Sequence, residues 1–403
     1  MRKRESENRT AFRSNHKREQ SYSPLYRYSD KYLFCCLAEE LNTLTECLPE
    51  PDQFSSCTDL MRFPILRVFI WILGISALIG NGFVILWRLR PNQKKTRKSS
   101  SSESMSILVF NLAIADGLMG IYMLLIASAD MYYRDVYIAY AEQWQASFIC
   151  KMAGFLSVLS SEASVFFMTV ISIDRFIAIT LPFSSLHLSR KSALISVTIV
   201  WWLTGLLSIM PVLIRGYFGD EFYGRSSVCL ALPLTQDKPK GWQYSVALFL
   251  GVNLVAFCII FFCYTAIYVV VKLSAKSLTR SGTNQADQIE FTLRMAFLVG
   301  TDFICWMPII IMGFLSLTGV AEVPPVAYVW IAVFVLPINS SLNPYMFTIL
   351  TRELSKRRRQ GNKSMHGTSG TIKNSTICES DMVIQPPTEI PLHNENHREF
   401  EMI

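Results

Sequence analysis

Three acids lie inside otherwise uncharged apolar stretches: Asp116 in Met105–Ser128, Glu162 in Met152–Ile173 and Asp302 in Met295–Ala321. No Lys, Arg or His accompanies them there. A carboxyl group in hydrocarbon is costly and usually carries a function. Two chemistries are open to these acids. One is hydrogen-bonded glue between helices, worth about 1 kcal/mol per bond. The other is a cation site or a switch network. Enzyme chemistry lacks support, because the chain has no Gly-x-Ser-x-Gly, no phosphate-cradling glycine loop and no His-Glu-x-x-His. None of the five histidines falls in an apolar stretch. One further constellation stands out. Cys150 and the Asp174-Arg175 pair bracket a single apolar segment, about 38 Å apart if it is helical.

The elements that position these groups follow from the composition. Of 403 residues, 51% are hydrophobic and 17% are charged, where a soluble chain carries roughly 25% charged residues. Besides the three acid-bearing windows, Val68–Trp87, Ser192–Ile214, Tyr244–Val271 and Val323–Leu350 carry no charge at all. Each window exceeds the roughly 18 apolar residues that mark a membrane-spanning helix. Lipid cannot satisfy backbone N–H and C=O groups, so such spans are helices or a closed barrel. Barrel strands would be about ten alternating residues long. The expected fold is therefore an all-α membrane protein, a bundle of seven transmembrane helices numbered here as spans one to seven.

Lys and Arg near the spans set the expected orientation. Arg88, Arg90, Lys94, Lys95, Arg97 and Lys98 follow span one; Arg352, Lys356, Arg357, Arg358 and Arg359 follow span seven. Before Ile65 the adjoining segment carries only Arg62. The N-terminus is expected outside and the C-terminus inside. Residues 1–31 are rich in Lys and Arg against this rule, but they lie far from span one, where the rule weakens. The net charge of +7 is read as a topology and lipid-surface signal, with no nucleic-acid partner. Met1–Gln20 is polar and basic, with no apolar core of a secretory signal, so span one is expected to act as the insertion signal. Cys35, Cys36, Cys47, Cys57, Cys150 and Cys229 then fall on the oxidising side, an even number. Asn8 opens the sole glycosylation sequon expected outside.

The chain divides into a basic disordered segment, 1–34; a Cys-bearing hinge, 35–64; the bundle, 65–350; a basic amphipathic surface helix, 351–359; and a disordered tail, 360–403. No leucine-rich repeat pattern is found.

Short motifs occur in order along the spans: Gly80-Asn81 in span one, Leu112-Ala113-Ile114-Ala115-Asp116 in span two and Asp174-Arg175-Phe176 after span three. Trp201-Trp202 lies in span four, Cys305-Trp306-Met307-Pro308 in span six and Asn339-Ser340-Ser341-Leu342-Asn343-Pro344 in span seven. Together, over residues 62–359, they resemble the rhodopsin-like (class A) G-protein-coupled receptors. Met119-Gly120-Ile121-Tyr122, Glu142-Gln143-Trp144, Ser161-Glu162-Ala163-Ser164 and Thr301-Asp302-Phe303 narrow the likeness. So does Leu66-Arg67-Val68-Phe69-Ile70-Trp71. These resemble the leucine-rich-repeat-containing hormone receptors, above all the relaxin receptor branch.

The resemblance implies several roles. Cys150 and Cys229 would form the disulfide that ties span three to the second outer loop. Asp174, Arg175 and Phe176 would contact a heterotrimeric G protein. Trp306 above Pro308, with Asn343, Pro344, Phe347, Tyr264, Asp302 and Glu162, would form the activation switch. Asn81, Asp116, Ser164, Asn339 and Asn343 match a sodium pocket, so a sodium ion at Asp116 is the candidate allosteric modulator and no other cofactor is implied. Cys35, Cys36, Cys47 and Cys57 resemble a hinge that joins a repeat domain to span one. A relaxin-like peptide or glycoprotein hormone, the lipid bilayer and arrestin complete the implied partners. The implied output is raised cAMP at the plasma membrane, without enzymatic activity.

Three departures qualify the resemblance. The hormone-capturing repeat domain is absent from this sequence. The switch tyrosine of Asn-Pro-x-x-Tyr is Phe347. Gln288 stands where many receptors carry the span-six acid that locks Arg175. The alternative reading is a truncated, non-signalling or decoy membrane protein of receptor descent. A retinal protein is disfavoured, because Val323–Leu350 holds no lysine for a Schiff base.

Overall fold

The structure is a computed structural model. It describes residues 27–28, 47–48, 58–61, 63–90, 100–181, 184, 188–219, 222–231, 240–278, 283–320, 334 and 337–346. The chain divides into the units Met1–Thr351 and Arg352–Ile403, and every described residue lies in the first.

Span one is a helix over Pro64–Leu89, span two over Ser100–Tyr132, span three over Phe148–Thr180 and span four over Arg190–Leu213. Span five runs from Trp242 to Leu278 and span six over Thr283–Thr318. Residues 337–346, inside the window of span seven, are also helical. Among the described residues, spans one to five are each long and apolar enough to cross a membrane.

Span one shows how an almost uniformly apolar sequence still specifies a face. Its buried residues are Leu66, Ile70, Gly74, Ala77, Asn81 and Val84. Their spacing of three or four residues follows the 3.6-residue turn. Val68, Ile72, Ile79 and Leu86 on the other side are more than half exposed, as lipid-facing side chains must be. The packed face is set by small and polar residues, which let helix backbones approach. A Cβ on Gly120 of span two would lie 2.9 Å from Leu78 N and 3.1 Å from Gly74 O of span one.

The helices outrun their apolar windows, because backbone hydrogen bonding does not stop where hydrocarbon does. Span three begins where the Ser147 side chain accepts the Cys150 N–H at 3.1 Å, and span four where Ser189 accepts the Ser192 N–H at 3.2 Å. Both are serine N-caps, which satisfy an otherwise orphan donor. Pro64 opens span one in the first turn, where a missing N–H costs nothing.

The structure adds three features to the sequence reading. Tyr137–Ala146 forms a helix between spans two and three. Span five is not one regular helix: Val246–Val252 is π-helical before α-geometry resumes at Asn253. Such a stretch carries one extra residue per turn and tends to mark functional positions. Arg27–Tyr28, in the segment expected to lack order, pairs in parallel with Cys47–Leu48 of the hinge.

Two apolar clusters form the core. One surrounds Leu108, Leu112, Phe167, Leu248, Phe257 and Trp306. The other, at the disulfide end, gathers Leu60, Met61, Tyr137, Trp144, Cys150 and Cys229.

Candidate functional site

Asp116 is fully buried at the junction of four spans. It accepts hydrogen bonds from Ser164 Oγ of span three (2.9 Å), Ser340 Oγ of span seven (3.0 Å) and Asn343 Nδ2 of span seven (2.8 Å). Asn81 of span one donates to Ser340 O and to Ala77 O, both at 2.9 Å. One carboxyl group thus organises spans one, two, three and seven.

The structure adds Ser340 to the residue set read from sequence: it bonds to Asp116 directly, whereas Asn339 does not. Asn339 and Ser340 both line an adjoining cavity with Ser164, Asp302, Trp306 and Met119, and about 10 Å3 of it is open to the centres of water-sized particles. Both polar atoms of the Asn339 side chain are buried without a hydrogen-bond partner among the described residues. An orphan amide oxygen, a carboxylate and two hydroxyls are the oxygen donors a hard monovalent cation takes, so the residues fit a sodium ion. Among the described residues no cluster of His, Cys, Asp or Glu is built for a multivalent metal.

Glu162 is also fully buried. Its Oε1 accepts from Asn253 Nδ2 at 3.2 Å, which joins span three to the residue where the π segment of span five ends. Glu162 Oε2 and Asn253 Oδ1 have no partner. Asp302 is buried and lines the cavity beside Asn339. Trp306 packs on Phe257 with ring centroids 6.0 Å apart, and Phe257 meets Phe303 edge-on at 6.1 Å. Pro308, two residues further along, lies inside the same helix.

At the other end of span three, Asp174 and Arg175 are buried and form an ion pair with each other. Tyr264 of span five faces Ser172 and Arg175, and Phe176 packs on Phe262 at 5.8 Å. Gln288 is helical, with its side chain outside the described residues.

The disulfide end is closed by a lid. Cys150 and Cys229 are bonded, S–S 2.06 Å. Trp144 Nε1 donates to Ser227 O at 2.7 Å and Tyr122 Oη to Val228 O at 2.8 Å. Tyr223 Oη donates to Ser208 O of span four at 2.6 Å. Gly224 is required here, because a Cβ would lie 2.2 Å from Gln145 O.

A clamp that the sequence reading missed fastens the segment before span one. Arg67 pairs with Asp130 of span two (2.6 Å) and with Asp59 (2.9 Å), while Met61 N–H donates to Asp130 Oδ1 at 2.9 Å. Ser227 Oγ donates to Leu60 O at 3.2 Å. Burial pushes the Asp59 carboxyl up, but hydrogen bonds from Arg67 and the Asp135 N–H prevail and hold it below the usual range. The available signal was an acid half a turn beyond the span-two window, facing an arginine inside an apolar run. Asn111, which accepts from Trp201 Nε1 at 2.9 Å, was likewise overlooked.

Phe347, Cys35, Cys36, Cys57, Asn8 and the surface helix 351–359 lie outside the described residues, as does the side chain of Cys47.

Residues 80–347 match the family described as 7 transmembrane receptor (rhodopsin family). G-protein coupled receptor GRL101 of Lymnaea stagnalis is 44% identical over 354 residues, 87% of this chain and 30% of that protein. Relaxin receptor 2 of Canis lupus familiaris is 34% identical over 334 residues, 83% of this chain and 44% of that protein. Thyrotropin receptor of Ovis aries is 33% identical over 333 residues, 81% of this chain and 39% of that protein. The chain thus spans less than half the length of these curated relatives. Squid rhodopsin superposes with a TM-score of 0.56 at 20% identity, over 72% of this chain and 79% of that one, a likeness of fold alone. On the family match, the chain belongs to the rhodopsin family of seven-transmembrane receptors, a class of receptors and not of enzymes.

Proposed function

We propose that this chain is the signalling bundle of a G-protein-coupled receptor in the plasma membrane. Its N-terminus is outside and its C-terminus inside. It responds to a relaxin-like peptide or glycoprotein hormone and passes the signal to a heterotrimeric G protein that raises cAMP. Arrestin is a further partner of the same inner face.

The observation that carries this reading is the Asp174–Arg175 pair at one end of span three, with the disulfide at the other. A buried arginine whose counter-ion is its own neighbour can leave that pair and dock on a partner's backbone or carboxylate. The hydrogen bonds around Asp116 provide the link. They bind span three to spans two and seven, so a shift at the lid is passed along packed helices. Trp306 and Pro308 supply the bend, because a proline in a helix removes one backbone hydrogen bond. Asp116, Ser164, Asn339 and Ser340 would hold a sodium ion, whose positive charge would favour the packing in which these oxygens converge. The described cavities are small and the lid is closed. That favours a hormone acting from outside the bundle over a small molecule inside it.

The test is basal nucleotide exchange on a panel of G proteins in membranes, wild type against Arg175→Ala, at matched surface levels. Exchange that requires Arg175 is the expected result. Exchange that is equal in the two proteins refutes the assignment.

A further inference from the structure

At the disulfide end, on the outer flank of spans three and four, a second cleft opens beside the lid. Lys151 and Arg215 border it, and Pro211, Val212, Phe222 and Tyr223 form its walls. Lys151 follows the disulfide cysteine in the first turn of span three. Arg215 opens the four-residue helix that succeeds span four. The two cations therefore come from different helices and border one opening. Among the described residues neither makes an ion pair; the arginines in such pairs are Arg67, Arg175 and Arg190.

The surroundings decide what would satisfy them. Phe148 and Leu213, next to the cleft, are exposed by 74% and 70%, and Ile149 and Ile214 by about half. In a membrane protein that surface faces acyl chains. The cleft thus lies where hydrocarbon meets the polar boundary, with two positive groups at its mouth. The Tyr223 hydroxyl donates its proton to Ser208 O, so it offers no donor to an anion in the cleft. About 30 Å3 is open to the centres of water-sized particles, enough for the free oxygens of one phosphate but not for a whole head group.

We propose that Lys151 and Arg215 hold the phosphate of a phospholipid in the leaflet at the disulfide end. Its acyl chains lie along the exposed apolar flank of spans three and four. The lysine offers three donors around a point charge, and the arginine a planar fork that matches two phosphate oxygens. The head-group alcohol stays outside the cleft, so phosphatidylcholine and phosphatidylglycerol bind alike. This site is separate from the Asp116 network and from the Arg175 face.

The experiment is native mass spectrometry of the purified receptor in detergent. Phosphatidylcholine, phosphatidylglycerol and diacylglycerol of the same chains are added in turn. The expected result is a retained adduct with both phospholipids and none with diacylglycerol. In Lys151→Met/Arg215→Gln, affinity falls about fivefold per cation removed, while Lys151→Arg/Arg215→Lys keeps it. An unchanged melting temperature and an intact Cys150–Cys229 bond establish that the variants are folded. Millimolar inorganic phosphate tests the source of the anion: failure to displace the lipid supports the proposal, because the chains contribute to binding. Displacement by phosphate overturns the lipid assignment. So does equal binding of diacylglycerol, or a phospholipid affinity unchanged by loss of both cations.

Discussion

Replacing Asp130 by Asn probes the clamp at the disulfide end. The substitution keeps an oxygen for the Met61 N–H and removes the charge opposite Arg67. The Asp130 side chain is 1% exposed and that of Arg67 17%. Two unit charges about 4 Å apart attract by about 4 kcal/mol at an effective dielectric of about 20. Two effects reduce the loss. The variant no longer has to desolvate a carboxylate, and Arg67 keeps Asp59 at 2.9 Å. A net destabilisation of about 2 kcal/mol remains. In a domain of this size that lowers the melting temperature by roughly 4–8 °C. Asp59→Asn removes the more exposed partner and costs at most about 1 kcal/mol. The Asp59 carboxyl is held below its ordinary value of 3.8. Its contribution is therefore fully present at neutral pH and is lost only as pH falls through that lowered value. The assay is thermal unfolding of the purified receptor, followed by reaction of a thiol dye with Cys263, which is buried in the folded state. Equal melting temperatures for wild type and Asp130→Asn, or equal losses for Asp130→Asn and Asp59→Asn, refute the reasoning.

Other perturbations test other parts. Gly154→Ala places a Cβ 2.3 Å from Tyr223 Cδ1, so the buried ring must shift and strain its bond to Ser208 O; a cost of about 1–3 kcal/mol is expected, and an unchanged melting curve would count against the packing. Trp201→Phe removes the donor to Asn111 and should cost about 1 kcal/mol, read in the same assay. Asp116→Asn should abolish any sodium dependence of basal signalling, and a sodium response that survives in the variant refutes the cation site. Cys150→Ser frees the lid segment at Cys229 and should sharply reduce surface expression; normal surface levels would show that the bridge is dispensable.

The spans themselves are legible because lipid imposes a coarse rule. Uncharged windows such as Ser192–Ile214 and Tyr244–Val271 must be helical so that their own backbones satisfy every N–H and C=O. The disulfide pairing is also legible, from resemblance. The helix at Tyr137–Ala146 escapes notice because it is short and mixed, with Glu142 and two glutamines among aromatics. Apolar-window reasoning has nothing to hold there. The π segment at Val246–Val252 is invisible for another reason: hydropathy does not distinguish one residue more per turn.

What the sequence alone determined is which groups are costly to bury: Asp116, Glu162, Asp302 and the pair Asp174-Arg175. Their types guarantee that something must satisfy them. Which partners do so was decided by the tertiary structure. Asp116 bonds directly to Ser340 and not to Asn339, because helix rotation brings the hydroxyl at 340 onto the carboxylate, although both residues line the adjoining cavity. Arg67 finds Asp130 across 63 positions of chain because spans one and two pack closely where Gly120 meets Gly74 and Leu78. Burial cost is a property of the residue. Partnership is a property of the packing, since it depends on angles and distances between helices far apart in the chain.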